Sequence, residues 1–390
     1  MSEVADVVVI GAGVMGASIA YHLAKAGVRK VVVVEKRFLA AGATGKSSGL
    51  VRMHYDNEPE CRLAWASFGY FRNWSEVVGG DCGFRRTGFL RLVPRELADN
   101  LRANVAMQQR IGIDTHLISA EEVASLVPSL NTDDFDIAAY EPRSGYADPT
   151  STTAALLGQA REMGVRLLQE TTVTGIRTQA GHVSQVATDK GAIATPTVVN
   201  AAGAWGAHIG AMVGVELSIE GFRHQVVYLK RPPKLAEPPP AVIDDVKAQY
   251  FRPETGNLTL AGLEDSNEMG VDPDNYRERV DQEFVPRLGE RICQRIPAMK
   301  EASLASGQAG CDGLTPDQRA IIDKVGPEGF YLAVGFSGTG FKIAPAVGAG
   351  MAELVTKGRA ETVDITPFRL GRYAEGKPLM GEHPYGHFWR

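Results

Sequence analysis

Two short apolar runs stand out near the start of the chain, Val7–Ile10 and Arg29–Val34, separated by a segment of helical length. Short β-branched runs of this kind read as buried strands. Val14 to Ala26 between them reads as a helix, so Val7–Val34 predicts a strand-helix-strand unit. Further on, Leu63, Ala66, Phe68, Phe71, Trp74 and Val78 recur near helical spacing and predict a helix over Glu58–Val78 whose aromatic stripe is core. Phe84–Val93, with Gly88 inside it, predicts a hairpin. A polar helix over Glu96–Ile111 follows, and Ser119 with Glu122 forms a capping-box signature.

The middle of the chain changes character. Tyr140–Asp148 has the turn residues of a crossover, Pro149–Gly164 predicts a helix and Val165–Leu168 a strand. Thr172–Thr178, His182–Thr188 and Ala194–Val199 predict a small meander that ends in the small-residue turn before Trp205. From Val215 to Ile296 the pattern is β-rich, with strands at Gln225–Leu229, Val242–Asp244, Gln249–Arg252 and Leu258–Ala261. Lys230–Pro240, with five prolines, predicts an extended connector. Tyr276–Ile296 predicts a charged helix interrupted near Pro286. A last strand, Phe330–Val334, leads through a glycine-rich loop to a helix over Ile343–Thr356.

Composition narrows the class. With 390 residues and 44% hydrophobic content the chain can build two full cores. A net charge of −5 gives no reason to expect nucleic acid or an anionic membrane as partner. Cys61, Cys82, Cys293 and Cys311 are too scattered for a zinc site or a disulfide framework, so no metal is expected. The first apolar run breaks at Gly11, too soon for a signal peptide, and no run is long enough to span a bilayer. A cytoplasmic protein is the expectation.

Candidate chemistry begins at Gly11-Ala12-Gly13-Val14-Met15-Gly16, where strand must turn sharply into helix. Glycines there admit the turn, the approach of a pyrophosphate and the packing of helix on strand, while the helix N-terminus attracts the anion. Glu35 lies 24 positions after Gly11, placed to accept from both ribose hydroxyls, and its charge would repel a 2′-phosphate. This fingerprint alone fits NAD or FAD. The loop Gly42–Gly49, small and hydroxylated, reads either as a cofactor wrap or as a flexible surface loop. A second glycine loop, Gly335–Gly340, before a second helix calls for a second polar feature on the ligand. FAD has one in its isoalloxazine oxygens.

The fingerprint, Glu35, the Gly42–Arg52 loop, VVNAAGAW at 198–205, YFRPE at 250–254, LTPD at 314–317 and GFSGTGFK at 335–342 together resemble the FAD-dependent amine oxidoreductases, the family of D-amino acid, glycine and sarcosine oxidases. Within it the likeness is to monomeric sarcosine oxidase and the sarcosine oxidase β subunit. The resemblance runs from residue 5 to about 360. It implies an α/β fold, a Rossmann-like FAD-binding domain joined to a β-rich mixed-sheet substrate domain. The expected division is 1–90, 140–215 and 310–370 for FAD, 91–139 and 216–309 for substrate, and 371–390 as a tail that docks on a partner or covers the cofactor domain.

The resemblance also assigns residues. Arg52 and Lys342 match the pair that clamps the substrate carboxylate, a sensible pairing because a guanidinium fork and a second cation together desolvate an anion. Tyr250 matches a tyrosine of the same pocket. Plainer readings place Arg52 on a flavin phosphate, Lys342 at a helix end without a ligand and Tyr250 in the core. His54 and His224 are candidates for setting amine protonation. Expected cofactor contacts are Gly11 to Gly16, Glu35, Lys36, Thr44, Lys46, Ser47, Ser48, Gly49, Leu50, Val173, Ala202, Gly203, Trp205, Gly338, Thr339, Gly340 and Lys342.

Two departures from the family pattern matter. The oxygen-activating lysine and the histidine four residues on fall at Thr259 and Leu263, which favours a dehydrogenase over an oxidase. Cys311 stands one position off the register of the covalent flavin cysteine, so noncovalent FAD is expected. The implied reaction is oxidation of a C–N bond of a small N-alkyl or secondary amino acid such as sarcosine, by hydride transfer to flavin N5 and hydrolysis of the imine. Oxygen or another acceptor would take the electrons, and the chain is open to homo- or hetero-oligomerisation. The alternatives are an FAD-dependent 2-hydroxyacid dehydrogenase and an FAD-bearing subunit or assembly factor.

Overall fold

The structure, a computed structural model, describes residues 3–235 and 237–386. Val7–Ile10 and Val31–Val34 are strands buried at every position, as apolar runs covered on both faces must be. They are the centre of a six-stranded sheet in the order Arg166–Leu168, Val31–Val34, Val7–Ile10, Val198–Asn200, Phe330–Val334, Ile321–Lys324. All pairs are parallel except the last.

One face of this sheet carries helix Val14–Lys25, flanked by Pro149–Glu162 and Gly340–Lys357. The first and last of these cross closely. A β-carbon on Gly348 would lie 2.1 Å from Ser18 Oγ, and that hydroxyl donates to the Ala344 carbonyl at 2.8 Å. The other face is covered by a four-stranded sheet built on the meander Val173–Ala194, joined by residues 3–4.

A nine-stranded sheet stands beside the first. Its strands include Phe89–Leu92, Ile137–Glu141, Glu220–Lys230, Ala241–Asp244, Gln249–Glu254 and Leu258–Leu263. Helix Phe284–Arg295 packs its apolar stripe on the back face, with Leu288 and Ile292 against Leu263 and Phe251. The front face carries Leu50, Phe89, Ile243, Tyr250 and Leu260.

Several expected elements differ in the structure. The longest strand, Ser303–Leu314, pairs with Glu220–Lys230 over its whole length and was not signalled, because its serines, alanines and glycines show no apolar alternation. Arg85–Arg86 and Phe89–Leu92 do not form a hairpin. They join two different sheets, the first pairing with Gly145–Tyr146 and the second with Ile137–Glu141, while Gly88 turns between them at φ +77°. The expected strand Ala194–Val199 is split by Pro196, which cannot donate to a ladder, so Gly191–Ala194 and Val198–Asn200 lie in separate sheets. The helix expected from Tyr276 begins only at Phe284. Pro286 therefore falls in its first turn, where no amide hydrogen bond is lost. The aromatic helix stops at Arg72 and restarts as the short turn Trp74–Val77.

Candidate active site

Gly11 ends the first strand at φ +107°, and a β-carbon there would sit 2.6 Å from the Ala201 carbonyl oxygen. Gly16 lies one helical turn further on, where a β-carbon would meet the Gly11 carbonyl oxygen at 1.9 Å. Two of the three glycines are thus demanded by packing. Gly13, Val14 and Met15 face a cavity at the helix N-terminus. Thr44 closes the turn by accepting from the Val14 amide at 3.1 Å. At the end of the second strand, Glu35 accepts from the amides of Ala12 at 2.9 Å and Arg37 at 2.8 Å.

The cavity, of about 390 Å³, runs from this turn to the front face of the nine-stranded sheet. Glu35, Lys36, Val173, Ala202, Gly203 and Trp205 line its first part, with the Lys36 ammonium 4.0 Å from the Trp205 ring centroid and paired with Asp274. Thr44, Ser47, Ser48 and Leu50 line its flank. At the far end stand Gly338, Thr339, Gly340 and Lys342, the first turn of the second helix, with Arg52, Tyr250, His224 and Asp312. Two helix N-termini thus open into one elongated space. The backbone donors, the acidic strand end and the glycine cradle fit FAD as its long, doubly polar ligand.

Arg52 and Lys342 meet over one aromatic ring. The guanidinium lies 4.5 Å from the Tyr55 centroid and the ammonium 5.6 Å from it. Arg52 Nη1 donates to the His54 carbonyl. Burial pushes the Lys342 ammonium well below its ordinary range, and neighbouring Arg52 pushes it the same way. A small anion between these groups would relieve both effects. Tyr250 owes its position to Gly262 on the adjacent strand, where a β-carbon would be 2.5 Å from the phenol oxygen. Burial raises that phenol, so it stays neutral and able to donate.

Some expected contacts lie elsewhere. Ala12, Gly16, Lys46 and Gly49 are not part of the cavity wall. Ala12 instead ties the turn to Glu35. Lys46 pairs with Glu278 at 2.8 Å. Gly49 turns the chain at φ +66°, where a β-carbon would be 2.2 Å from the Ala147 carbonyl oxygen. His54 is fully buried behind the wall, its Nε2 2.6 Å from the Tyr385 hydroxyl. Thr259 and Leu263 belong to the opposite face of the sheet. Thr259 accepts from Arg231 at 3.3 Å, and Leu263 packs under the helix Phe284–Arg295. Leu260 and Gly262 of that strand share the front face with Tyr250 instead.

Asp312 belongs to no motif, and its strand, Ser303–Leu314, has no apolar alternation to mark it. Its Oδ2 accepts from the Gly338 amide and its Oδ1 from the Gly313 amide, both at 2.8 Å, and burial raises its carboxyl. His224, two rungs along the neighbouring strand, is held below its ordinary range by burial. Cys311, next to Asp312, is absent from the cavity wall, and burial pushes its thiol up to about 12. Among the described residues no group of three or more His, Cys, Asp or Glu side chains is arranged to hold a metal, and no helix is long and apolar enough to cross a membrane.

The fold and this geometry have known counterparts. The structure of L-proline dehydrogenase from P. horikoshii superposes with a TM-score of 0.90 at 32% identity, covering 97% of this chain and 100% of that one. Glycine oxidase from Geobacillus kaustophilus gives a TM-score of 0.84 at 27% identity, covering 95% and 99%. Mitochondrial dimethylglycine dehydrogenase of Rattus norvegicus is 29% identical over 95% of this chain, which spans only 45% of that protein's length. Residues 6–354 match the family model for FAD dependent oxidoreductases, DAO. With nine-tenths of its length inside that match, the chain belongs to the DAO family of FAD-dependent oxidoreductases.

Proposed function

We propose that the chain oxidises the C–N bond of a small secondary amino acid, N-methylated as in sarcosine or cyclic as in proline. The observation that carries this reading is the meeting of Arg52 and Lys342 over Tyr55, at the cavity end that also holds the second helix N-terminus. Two buried cations there are a receptor for one carboxylate. Tyr250 adds a neutral donor from the sheet. Bound FAD supplies the two-electron acceptor. The side chains hold the carboxylate, aim the carbon beside the nitrogen at the flavin, and exclude water. In this reading residues 1–90, 140–215 and 310–370 serve the cofactor, and residues 91–139 and 216–309, which carry most of the nine-stranded sheet, serve the substrate.

The cofactor is held without a covalent bond, since Cys311 stands outside the cavity wall. Oxygen is a slow acceptor of the electrons, because the front face of strand Leu258–Leu263 carries Leu260 and Gly262 and adds no cation beside the flavin. A second reading has one observation behind it. His224 and Asp312 in the cavity wall would provide the proton acceptor that oxidation of a 2-hydroxyacid needs.

Anaerobic bleaching of the flavin tests both readings. Sarcosine or L-proline should bleach it, and lactate and 2-hydroxyglutarate should not. Bleaching by the hydroxyacids alone would reverse the assignment. Admission of air should restore the oxidised spectrum slowly, and an artificial electron acceptor quickly.

A further inference from the structure

The C-terminal segment 379–385 has no part in the sheets or helices, yet it is fixed at five points. The Leu379 amide donates to Asp317 at 2.9 Å and the Glu382 amide to the Asp56 carbonyl at 3.1 Å. Asn104 and Asn100, on the helix Ala98–Ile111, donate to the carbonyls of His383 at 2.8 Å and Pro384 at 2.7 Å. Tyr385 then enters the protein to 1% exposure, packed with Val93, Leu101, Val105 and Ala139. Its hydroxyl lies 2.6 Å from His54 Nε2, its ring stacks on the imidazole at 5.7 Å, and the Arg91 guanidinium lies 4.4 Å from its centroid.

What the segment grips is the irregular stretch 52–57, which has no ladder or helix of its own to fix it. That stretch carries Arg52 at one end, and Arg52 donates to the carbonyl of His54, the residue whose ring Tyr385 holds. Asp56, gripped by Glu382, is the partner of Arg319 at 2.6 Å. A guanidinium binds a carboxylate bidentately only when its plane is fixed, and the His54 carbonyl, together with the rings of Tyr55 and Phe89, is among the contacts that fix it here.

We propose that Tyr385 is a positioning residue for Arg52, and that residues 381–386 form a strap completing the carboxylate site from behind. The inference rests on the carboxylate-clamp reading of Arg52. Tyr385 touches neither substrate nor cofactor; it acts through His54.

The test uses full-length holoprotein titrated with pyrrole-2-carboxylate, an aromatic, non-oxidisable analogue of a cyclic amino acid, followed by the change in flavin absorbance. Tyr385→Phe keeps the ring and removes the hydroxyl. It should weaken binding about fivefold to tenfold, the effect of one buried hydrogen bond, with FAD per chain unchanged and the thermal midpoint lowered by only a few degrees at most. A chain ending at Met380 should lose more affinity, and adding the missing peptide in trans should restore part of it. Wild-type affinity in both variants, with binding lost in Arg52→Ala, would overturn the strap and leave the clamp standing. Loss of FAD or of the thermal midpoint in parallel with affinity in Tyr385→Phe would make the residue merely structural and also overturn it. Wild-type affinity in Arg52→Ala would remove the clamp reading itself.

Discussion

Lys342 shows how much a single residue can depend on surroundings the sequence does not display. An ordinary lysine is charged at all physiological pH, but burial and Arg52 lower this one. A bound carboxylate favours the charged form, so binding takes up a proton once Lys342 has begun to lose its own. Carboxylate affinity should therefore be full at low pH and weaken as pH rises through the lowered pKa. Titration of pyrrole-2-carboxylate from neutral to alkaline pH should show that slope, and Lys342→Met should abolish it while weakening binding about tenfold or more. An equal slope in the variant would assign it to a group other than Lys342. The nature of Lys342 as a candidate was legible from the GFSGTGFK motif. Its lowered affinity for the proton was not, since that comes first from burial and then from Arg52, a residue remote in the chain, against the opposing pull of Glu60 and Asp312.

Helix Val14–Lys25 carries the constraints of its whole neighbourhood. Gly16→Ala places a methyl group 1.9 Å from the Gly11 carbonyl oxygen, a backbone atom that cannot yield without lifting the helix from the strand. The expected cost is about 1–3 kcal/mol of stability together with release of FAD, read by thermal melting and by the flavin-to-protein absorbance ratio. Gly13→Ala, whose nearest neighbour would be Thr44 Oγ1 at 3.1 Å, should fold better and still bind FAD more weakly. The same helix holds His22 between the Ser18 carbonyl at 2.8 Å and the Tyr70 hydroxyl at 3.1 Å. Burial lowers His22 from 6.5 to about 4. Below 6.5 the unfolded chain takes a proton that the folded chain refuses, so this stability is complete above 6.5 and is lost as pH falls toward 4. Melting midpoints should drop through that window, and His22→Gln should flatten the drop.

At the scale of the whole molecule, the irregular segment 270–283 that follows strand Glu268–Met269 of the nine-stranded sheet is tied to the cofactor turn. Lys36 pairs with Asp274, and Lys46 and Arg37 pair with Glu278 at 2.8 and 3.4 Å. These charges are partly exposed, so they add little to folding stability, less than about 1 kcal/mol each. Their position matters more than their strength. The double variant Asp274→Asn, Glu278→Gln should release FAD several-fold faster with little change in melting midpoint, and high salt should erase the difference from wild type. An unchanged release rate at low salt would show that the mouth is held by Trp205 and the glycine loops alone.

The sequence by itself determined the strand-helix-strand unit, the two glycine loops and Glu35, while the family resemblance singled out Arg52 and Lys342 as candidates. These are local requirements, set by β-branched runs, by turns that admit no side chain and by motifs that carry their own spacing. Tertiary structure alone decided the rest. Ser303–Leu314 is a strand because Glu220–Lys230 offers it an edge, and small residues suffice where the partner supplies the apolar surface. Asp312 enters the cavity for that reason, and Cys311, beside it, does not. The strap at Tyr385 was equally hidden, since a glycine- and proline-rich tail has no periodicity, and only the docked chain shows that it closes over His54. Long-range pairing and burial are properties of two segments at once, and neither segment's sequence contains the other.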